Sequence, residues 1–434
     1  MQAAELEADF DVGLPRPHRR AAAIIVASVT VTAIAAAAWV HPDISLFPGK
    51  SAAPASASVL RGDYRVATID FISATTGWLV AVMPTGEYVL IHTTDGGDSW
   101  TRQLSGTTEG HSTYLKFFDA GVGVFALTGT RPVVRRTADG GATWTSRPAA
   151  SGDASALAWS FVDSDHGWLL AAPASGVAQS TAGLYRTEDG GLSWIDLGVP
   201  VRAPDVAFDV QFSYLTTGWL TTVSGGPYAY RSQDFGSTWT RVALPAPATG
   251  WPSGGQFFVA ARPTAGQGVV ASVIHFAAFQ GRSGAGGEVR GYPPLTVRSF
   301  DGGRLHTYLY TTLLDQVATR PLAQDTPPNE SELATTDGGR TWGAISPPPA
   351  GAALGFADAA HWWWIGQGAT ARTSDAGATW TDPRDIGVVD ALPGSLQMLD
   401  ANHAWFAGVP GSRTMLESTD DAGEHWTTTP LPLL

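Results

Sequence analysis

The chain has 434 residues, a formal net charge of −13, 50 Gly, 29 Pro and no Cys, and only 15% of its side chains are charged. An acidic chain argues against nucleic acid as a partner, and the missing Cys excludes disulfides and Cys-ligated metal. Many turn formers with few charges suit tightly turned β-structure rather than helices. Lys50 and Lys116 are the only lysines; with abundant Ala, Gly and Pro, this suggests a GC-rich bacterial coding sequence.

Residues 1–20 are polar and place Arg16, Arg19 and Arg20 ahead of an apolar run over 21–40 that contains no charge and no Pro. About 20 such residues can cross a bilayer as one helix. Arginines on the N-terminal side predict a cytoplasmic N-terminus and an exported remainder. A retained membrane anchor is expected; a cleaved signal peptide is the alternative, since Ala35 to Ala38 offer small-residue cleavage sites. Residues 41–60 carry Pro42, Pro48 and Pro54 among Ser and Ala and read as a linker. Residues 61–434 form the body, with 22 basic and 34 acidic side chains.

The body repeats one phrase. Thr93-Thr-Asp-Gly-Gly-Asp-Ser-Trp100 reads Ser/Thr-x-Asp-x-Gly-x-x-Trp, and it returns at 137–144, 187–194, 232–239, 335–342, 373–380 and 419–426. A worn copy at 299–306 keeps Asp301 and Gly303 but ends in His306. Its fixed residues are Asp95, Gly97 and Trp100; Asp139, Gly141 and Trp144; Asp189, Gly191 and Trp194; Asp234, Gly236 and Trp239; Asp337, Gly339 and Trp342; Asp375, Gly377 and Trp380; Asp421, Gly423 and Trp426. Glycine reaches positive φ without a Cβ clash, and Asp and Ser/Thr side chains bond nearby backbone N–H groups, so the phrase closes a hairpin turn. The Trp opens the returning strand and can bury its face on a neighbour. Truncating one, such as Trp194, is expected to cost about 3–5 kcal/mol, as for a large core residue.

A second phrase precedes most boxes. Phe161-Val-Asp-Ser-Asp-His-Gly-Trp168 is its clearest copy, and 71–78, 117–124, 212–219, 356–363 and 398–405 share the frame. Each unit then has a strand, a turn, a Gly-Trp strand, a strand into the box and a strand out. Four strands per unit make a propeller blade.

The box resembles the Asp-box, or BNR repeat, of sialidase-like β-propellers, and the paired phrases resemble the photosystem II assembly and stability factor group more than true sialidases. The resemblance covers roughly residues 61–434 and implies an all-β propeller whose boxes join the third and fourth strands of each blade, away from the ligand end. Box counting gives eight four-stranded blades. Seven is the alternative, if the fifth and sixth repeats merge around one inserted hairpin.

Arg136, Arg186, Arg231, Arg298 and Arg372 precede boxes, with His92 in that place in the first copy. They could form a ring of cations for an acidic ligand, but repetition at equivalent places favours structural pairing. In His361-Trp-Trp-Trp364, strand alternation puts Trp363 on one face and Trp362 and Trp364 on the other. Trp362 and Trp364 are the candidate ligand contacts, by stacking in a central channel; packing is the competing reading. No cofactor is expected. EF-hand spacing and zinc spacing of His are both absent, so no metal site is expected either.

The expected function is a membrane-anchored, extracytoplasmic scaffold, monomeric, binding a protein or glycan of the cell envelope without chemistry of its own. The alternative is an exo-sialidase-like glycoside hydrolase. That family's Arg-Ile-Pro segment is missing: Arg131-Pro132, Arg262-Pro263 and Arg320-Pro321 lack the middle residue.

Overall fold

The computed structural model describes residues 64–432 apart from 151–153, 174–181, 203–204, 248–249, 252–255, 265–266, 277–294, 302–303, 311–329, 346–352, 367, 387–395 and 409–413. The expected cytoplasmic segment, membrane helix and linker lie outside the described residues. Among the described residues there is no helix long and apolar enough to cross a membrane.

The described chain is all β and antiparallel. The first sheet takes β1 (Arg65–Phe71), β2 (Gly77–Val82), β3 (Glu87–Thr93) and β4 (Thr101–Thr107) in that order. The second takes β5 (Thr113–Phe117), β6 (Gly123–Leu127), β8 (Val133–Thr137) and β9 (Thr145–Pro148). The short β7 (Gly129–Thr130) crosses to the third group, β10 (Ala154–Phe161), β11 (Gly167–Pro173), β12 (Gly183–Thr187) and β13 (Ile195–Asp196). The fourth is β14 (Val206–Phe212), β15 (Gly218–Ser224), β16 (Tyr228–Ser232) and β17 (Thr240–Ala243).

The fifth group departs from simple repetition. It comprises β18 (Gln256–Pro263), β19 (Val269–Phe276), β22 (Glu330–Thr335) and β23 (Gly343–Ala344). Between β19 and β22, the chain forms a separate two-stranded sheet, β20 (Leu295–Asp301) with β21 (Arg304–Tyr310). The worn box sits on that hairpin, where Asp301 pairs with Arg304. Strand β15 pairs with β16 over 218–220 and with β18 over 221–224, so the fourth and fifth groups form one continuous sheet. The sixth group is β24 (Ala353–Phe356), β25 (Trp362–Gly366), β26 (Ala369–Thr373) and β27 (Arg384–Asp385). The seventh is β28 (Gln397–Met398), β29 (Ala404–Gly408), β30 (Met415–Thr419) and β31 (Thr427–Pro430).

Apolar clusters lie between successive groups and not only within them. One joins Trp78 and Leu90 to Phe117 and Phe125; the next joins Tyr114 and Val134 to Phe161 and Leu169. The series continues through Trp168 with Phe212, Trp219 with Phe257, Val270 with Trp362, and Trp363 with Phe406. The last cluster sets Trp405 and Leu416, near the C-terminus, against Ile69, Phe71 and Ile91. Tyr64 Oη also donates to the carbonyl of Pro432, at 3.4 Å. The first and last sheets therefore pack together, and the four-stranded sheets fit a propeller.

The Phe-to-Trp phrase explains this joinery. Phe71 pairs across its hairpin with Gly77, and an added Cβ on Gly77 would stand 2.4 Å from the Phe71 ring. The same pairing recurs at Phe117–Gly123, Phe161–Gly167 and Phe212–Gly218. Glycine lets the ring lie flat on the neighbouring backbone. The following Trp then stacks on the Phe of the next sheet: Trp78 on Phe117 with centroids 3.5 Å apart, Trp168 on Phe212 at 3.6 Å, and Trp405 on Phe71 at 4.3 Å.

The innermost strands are tied by side chains. The Phe71 amide donates to Gln397 Oε1 at 2.6 Å, the Phe117 amide to Asp70 Oδ2 at 2.5 Å, and the Phe212 amide to Ser160 Oγ at 2.9 Å. Gln397, Asp70 and Ser160 each stand just before the Phe position of their own unit. Lys116 has that place in the second unit, and there Tyr114 Oη accepts from the Phe161 amide instead, at 2.9 Å.

Candidate functional site

The strand directions give the molecule two unlike ends. First-to-second-strand turns and boxes share one end; second-to-third loops and the connections between units share the other.

At the box end, every intact copy has the same internal bonding. Thr93 Oγ1 donates to Asp95 Oδ1 at 2.7 Å and accepts from the Gly97 amide at 2.9 Å. The Ser99 amide and hydroxyl both donate to the Asp95 carboxylate, at 2.9 and 2.5 Å. Asp139, Asp189, Asp234, Asp337, Asp375 and Asp421 accept the matching amide bond four residues on. The Ser99 bonds hold the Asp95 carboxyl down at about 2, and the His425 bonds hold Asp421 there too. These carboxylates are ionised acceptors engaged in their own turn. Gly97, Gly141, Gly191, Gly236, Gly339, Gly377 and Gly423 all have positive φ, as the turn requires. Gly303 lies outside the described residues, and only the backbone of Asp301 is described.

The box tryptophans are less buried than expected. Trp100 is buried, whereas Trp144, Trp194, Trp239, Trp342, Trp380 and Trp426 are half-buried. Each leads into the outermost strand of its sheet, which among the described residues pairs on one side only. Trp100 Nε1 bonds back to the Gly97 carbonyl at 2.9 Å, so the indole braces its own turn.

Most of the arginines before boxes clamp neighbouring units. Arg136 Nη1 donates to the Ser164 carbonyl in the third unit, and Arg231 Nη1 to the Gly338 carbonyl in the fifth. Arg372 donates to the Ala422 carbonyl and to Glu424 in the seventh unit, both at 2.6 Å. Arg186 pairs locally with Glu188 at 2.6 Å and lies over the Phe235 ring. His92 stacks on Trp78. The Arg298 side chain lies outside the described residues. For the described arginines this is the structural role, carried by backbone carbonyls as much as by carboxylates.

Trp362 and Trp364 do not serve as ligand contacts. Their exposures are 0% and 2%, and both sit in the cluster between the fifth and sixth groups. Trp362 stands where other units have Gly or, in the seventh, Ala404; it lies edge-on to Phe356 at 5.2 Å and fills the gap that the Phe–Gly pair leaves elsewhere. A sealed indole cannot stack on a ligand.

The other end holds a polar cluster that the repeat pattern does not contain. Asp205, buried just ahead of β14, accepts from Tyr228 Oη at 2.9 Å, Tyr230 Oη at 2.5 Å and Arg241 Nη2 at 2.9 Å through Oδ2. Its Oδ1 accepts from the Gly225 amide at 3.2 Å. Arg241 Nε donates to Tyr230 Oη at 2.9 Å, and its guanidinium lies 4.4 Å from the Tyr228 ring centroid. Burial, then the bond to Asp205, pushes both phenols up, so they are neutral donors at ordinary pH. The visible signal was Tyr-x-Tyr before one box with an Arg two residues after its Trp, but nothing in the sequence tied these to Asp205.

Among the described residues no group of three or more His, Asp or Glu stands together as a metal site.

No protein-family model matches this chain. No curated protein matches it either. Among solved structures it is similar to YCF48 bound to D1 peptide, at 19% identity and TM-score 0.41, covering 72% of this chain and 80% of that one. It is similar to YCF48 from Cyanidioschyzon merolae at 15% identity and TM-score 0.47, covering 84% and 98%. The GH74 enzyme of Niastella koreensis is similar at 14% identity and TM-score 0.32, covering 84% and 71%.

Proposed function

We propose that this protein is a seven-bladed propeller, anchored through residues 21–40 and standing outside the cytoplasm, that binds a protein or glycan of the cell envelope without chemistry of its own. The blade count is supported by the strand groups and by the clusters that pair them in series back to the first. On this reading, β20–β21 is a hairpin inserted into the fifth blade and not part of an eighth. The anchor rests on the sequence alone: Arg16, Arg19 and Arg20 ahead of the apolar run.

The observation that carries the binding reading is where the repeated side chains go. The box carboxylates, the described arginines before boxes, and the Phe–Gly pairs all close turns or join sheets. The end opposite the boxes is where units differ from one another, and variable loops on a rigid ring are the usual place for recognition.

Photoreactive residues in the full-length chain test this in cells. A probe at Glu109 or Arg202, exposed at the loop end, should give a covalent adduct with an envelope component; one at Asp98 in the first box should not. Turnover of aryl sialosides or aryl glucosides by the purified protein would replace this reading with the hydrolase. Protease added to intact spheroplasts should digest the body and spare residues 1–20; a fully protected body would refute the orientation.

A further inference from the structure

We propose that Arg241, on the outer edge strand β17, reads an acidic side chain of an extended peptide that adds to that edge. This rests on the binding reading above and gives its partner a chemistry.

Arg241 is fixed before any ligand arrives. Its Nε and Nη2 are held by Tyr230 and Asp205, and its plane lies against Tyr228. Those bonds leave Nη1 and the outer hydrogen of Nη2 on a side chain that is 56% exposed. Asp205 is buried, and its oxygens already accept four donors, so the carboxylate offers nothing outward. The solvent therefore meets the cationic half of the pair. A guanidinium with two remaining donors on one edge matches a carboxylate, and its fixed geometry lowers the ordering cost of binding.

The strand beneath it favours a peptide over a free small acid. β17 pairs with β16 on one side only, through Tyr228↔Ala243, Ala229↔Val242, Tyr230↔Arg241 and Arg231↔Thr240. Among the described residues no strand pairs with its other side, which leaves an edge of backbone donors and acceptors that an extended chain can extend. A residue directly opposite Arg241 in an added strand would have its Cβ about 4.5–5.5 Å away on the same face. Glu or Asp there reaches the open side of the guanidinium. Other outer strands also carry Arg, but their settings differ: Arg384 on β27 is matched by the exposed Glu424, and Arg147 on β9 donates to its neighbour's carbonyl, Ser146. Arg241 combines an open edge with a cation locked by a buried carboxylate.

The probe is a short peptide of alternating Thr and Glu, acetylated and amidated, set against its Thr/Gln counterpart. Binding to the full-length chain in detergent is read by fluorescence anisotropy and by the Nε resonance of Arg241. The Glu peptide should bind saturably, roughly 10-fold or more tighter than the Gln peptide, and shift that resonance. Arg241→Ala should abolish the preference, and Arg241→Lys, which keeps charge without the fork, should restore only part of it. Melting temperatures of both variants separate loss of binding from loss of fold. Absent binding, equal binding of the two peptides, or a Glu preference surviving in Arg241→Ala would overturn the proposal. So would N-acetylneuraminic acid displacing the peptide at equal or lower concentration, because the site would then be one for acidic sugars. Photo-adducts at Glu109 or Arg202 that persist in Arg241→Ala would leave the binding face standing while this inference falls.

Discussion

Two tryptophans of the third unit, Trp168 and Trp194, belong to different repeated phrases and have different roles. Trp168 is fully buried, stacks on Phe212 of the next sheet with an interplanar angle of 6°, and donates to the Phe235 carbonyl at 2.9 Å. Trp194 is half-buried and meets Phe161 and Trp159 edge-on, at 6.3 and 5.9 Å. The louder motif closes a turn that is nearly self-sufficient. The quieter one joins one sheet to the next. Stability should therefore follow the second phrase more than the first.

The largest expected effect is at Trp168. Its replacement by Ala should cost about 3–5 kcal/mol in denaturant unfolding, because the cavity opens between two sheets. Trp194→Ala should cost about 2 kcal/mol, since much of its indole already faces water. Equal losses would erase the distinction drawn between the two phrases.

Glu417 sharpens the contrast from the opposite direction. It stands two residues before its box threonine, where the first and fifth units have Ile91 and Leu333. It is buried; Oε2 accepts from Thr428 Oγ1 at 2.7 Å, while Oε1 has no hydrogen-bond partner. Burial raises its carboxyl above the ordinary range. A raised folded value means that stability is fully present in acid and is lost as pH climbs through that value. Glu417→Leu should thus stabilise by about 1 kcal/mol near pH 7, with the gain shrinking toward about pH 4. A gain that grows in acid would contradict this. The box carboxylates have the reverse sign. Asp95 and Asp421, lowered from 3.8 to about 2, add stability that disappears as pH falls across that interval.

The smallest effect concerns Phe235. It holds φ +61° at a box position where four other copies have Gly and two have Ala, and it remains 38% exposed. A bulky residue is strained there. Phe235→Gly should gain about 0.5 kcal/mol, and a loss would show that the contact with Arg186 outweighs the strain.

Much of this was legible from residue spacing. The boxes, their turns, the strand order and the alternation of Trp362, Trp363 and Trp364 follow from glycine chemistry and the period of a strand. Three things were not. The worn box at 299–306 counts as one more repeat in the sequence, and spacing alone cannot show that its hairpin forms a separate two-stranded sheet, paired with neither β19 nor β22 among the described residues. The sealing of Trp362 and Trp364 depends on a Phe–Gly pairing whose Gly has been replaced, and only the packed neighbour shows what fills the space. The Asp205 cluster joins residues from two strands and two connections, so no local window contains it.

Ring closure can be measured most directly with a double-mutant cycle between Phe71 and Trp405, which lie near opposite ends of the described chain and stack with an interplanar angle of 1°. Replacing each with Leu, singly and together, should give a coupling of about 0.5–1.5 kcal/mol. Strictly additive losses would mean that the first and last sheets do not meet, and the toroid would have to be abandoned.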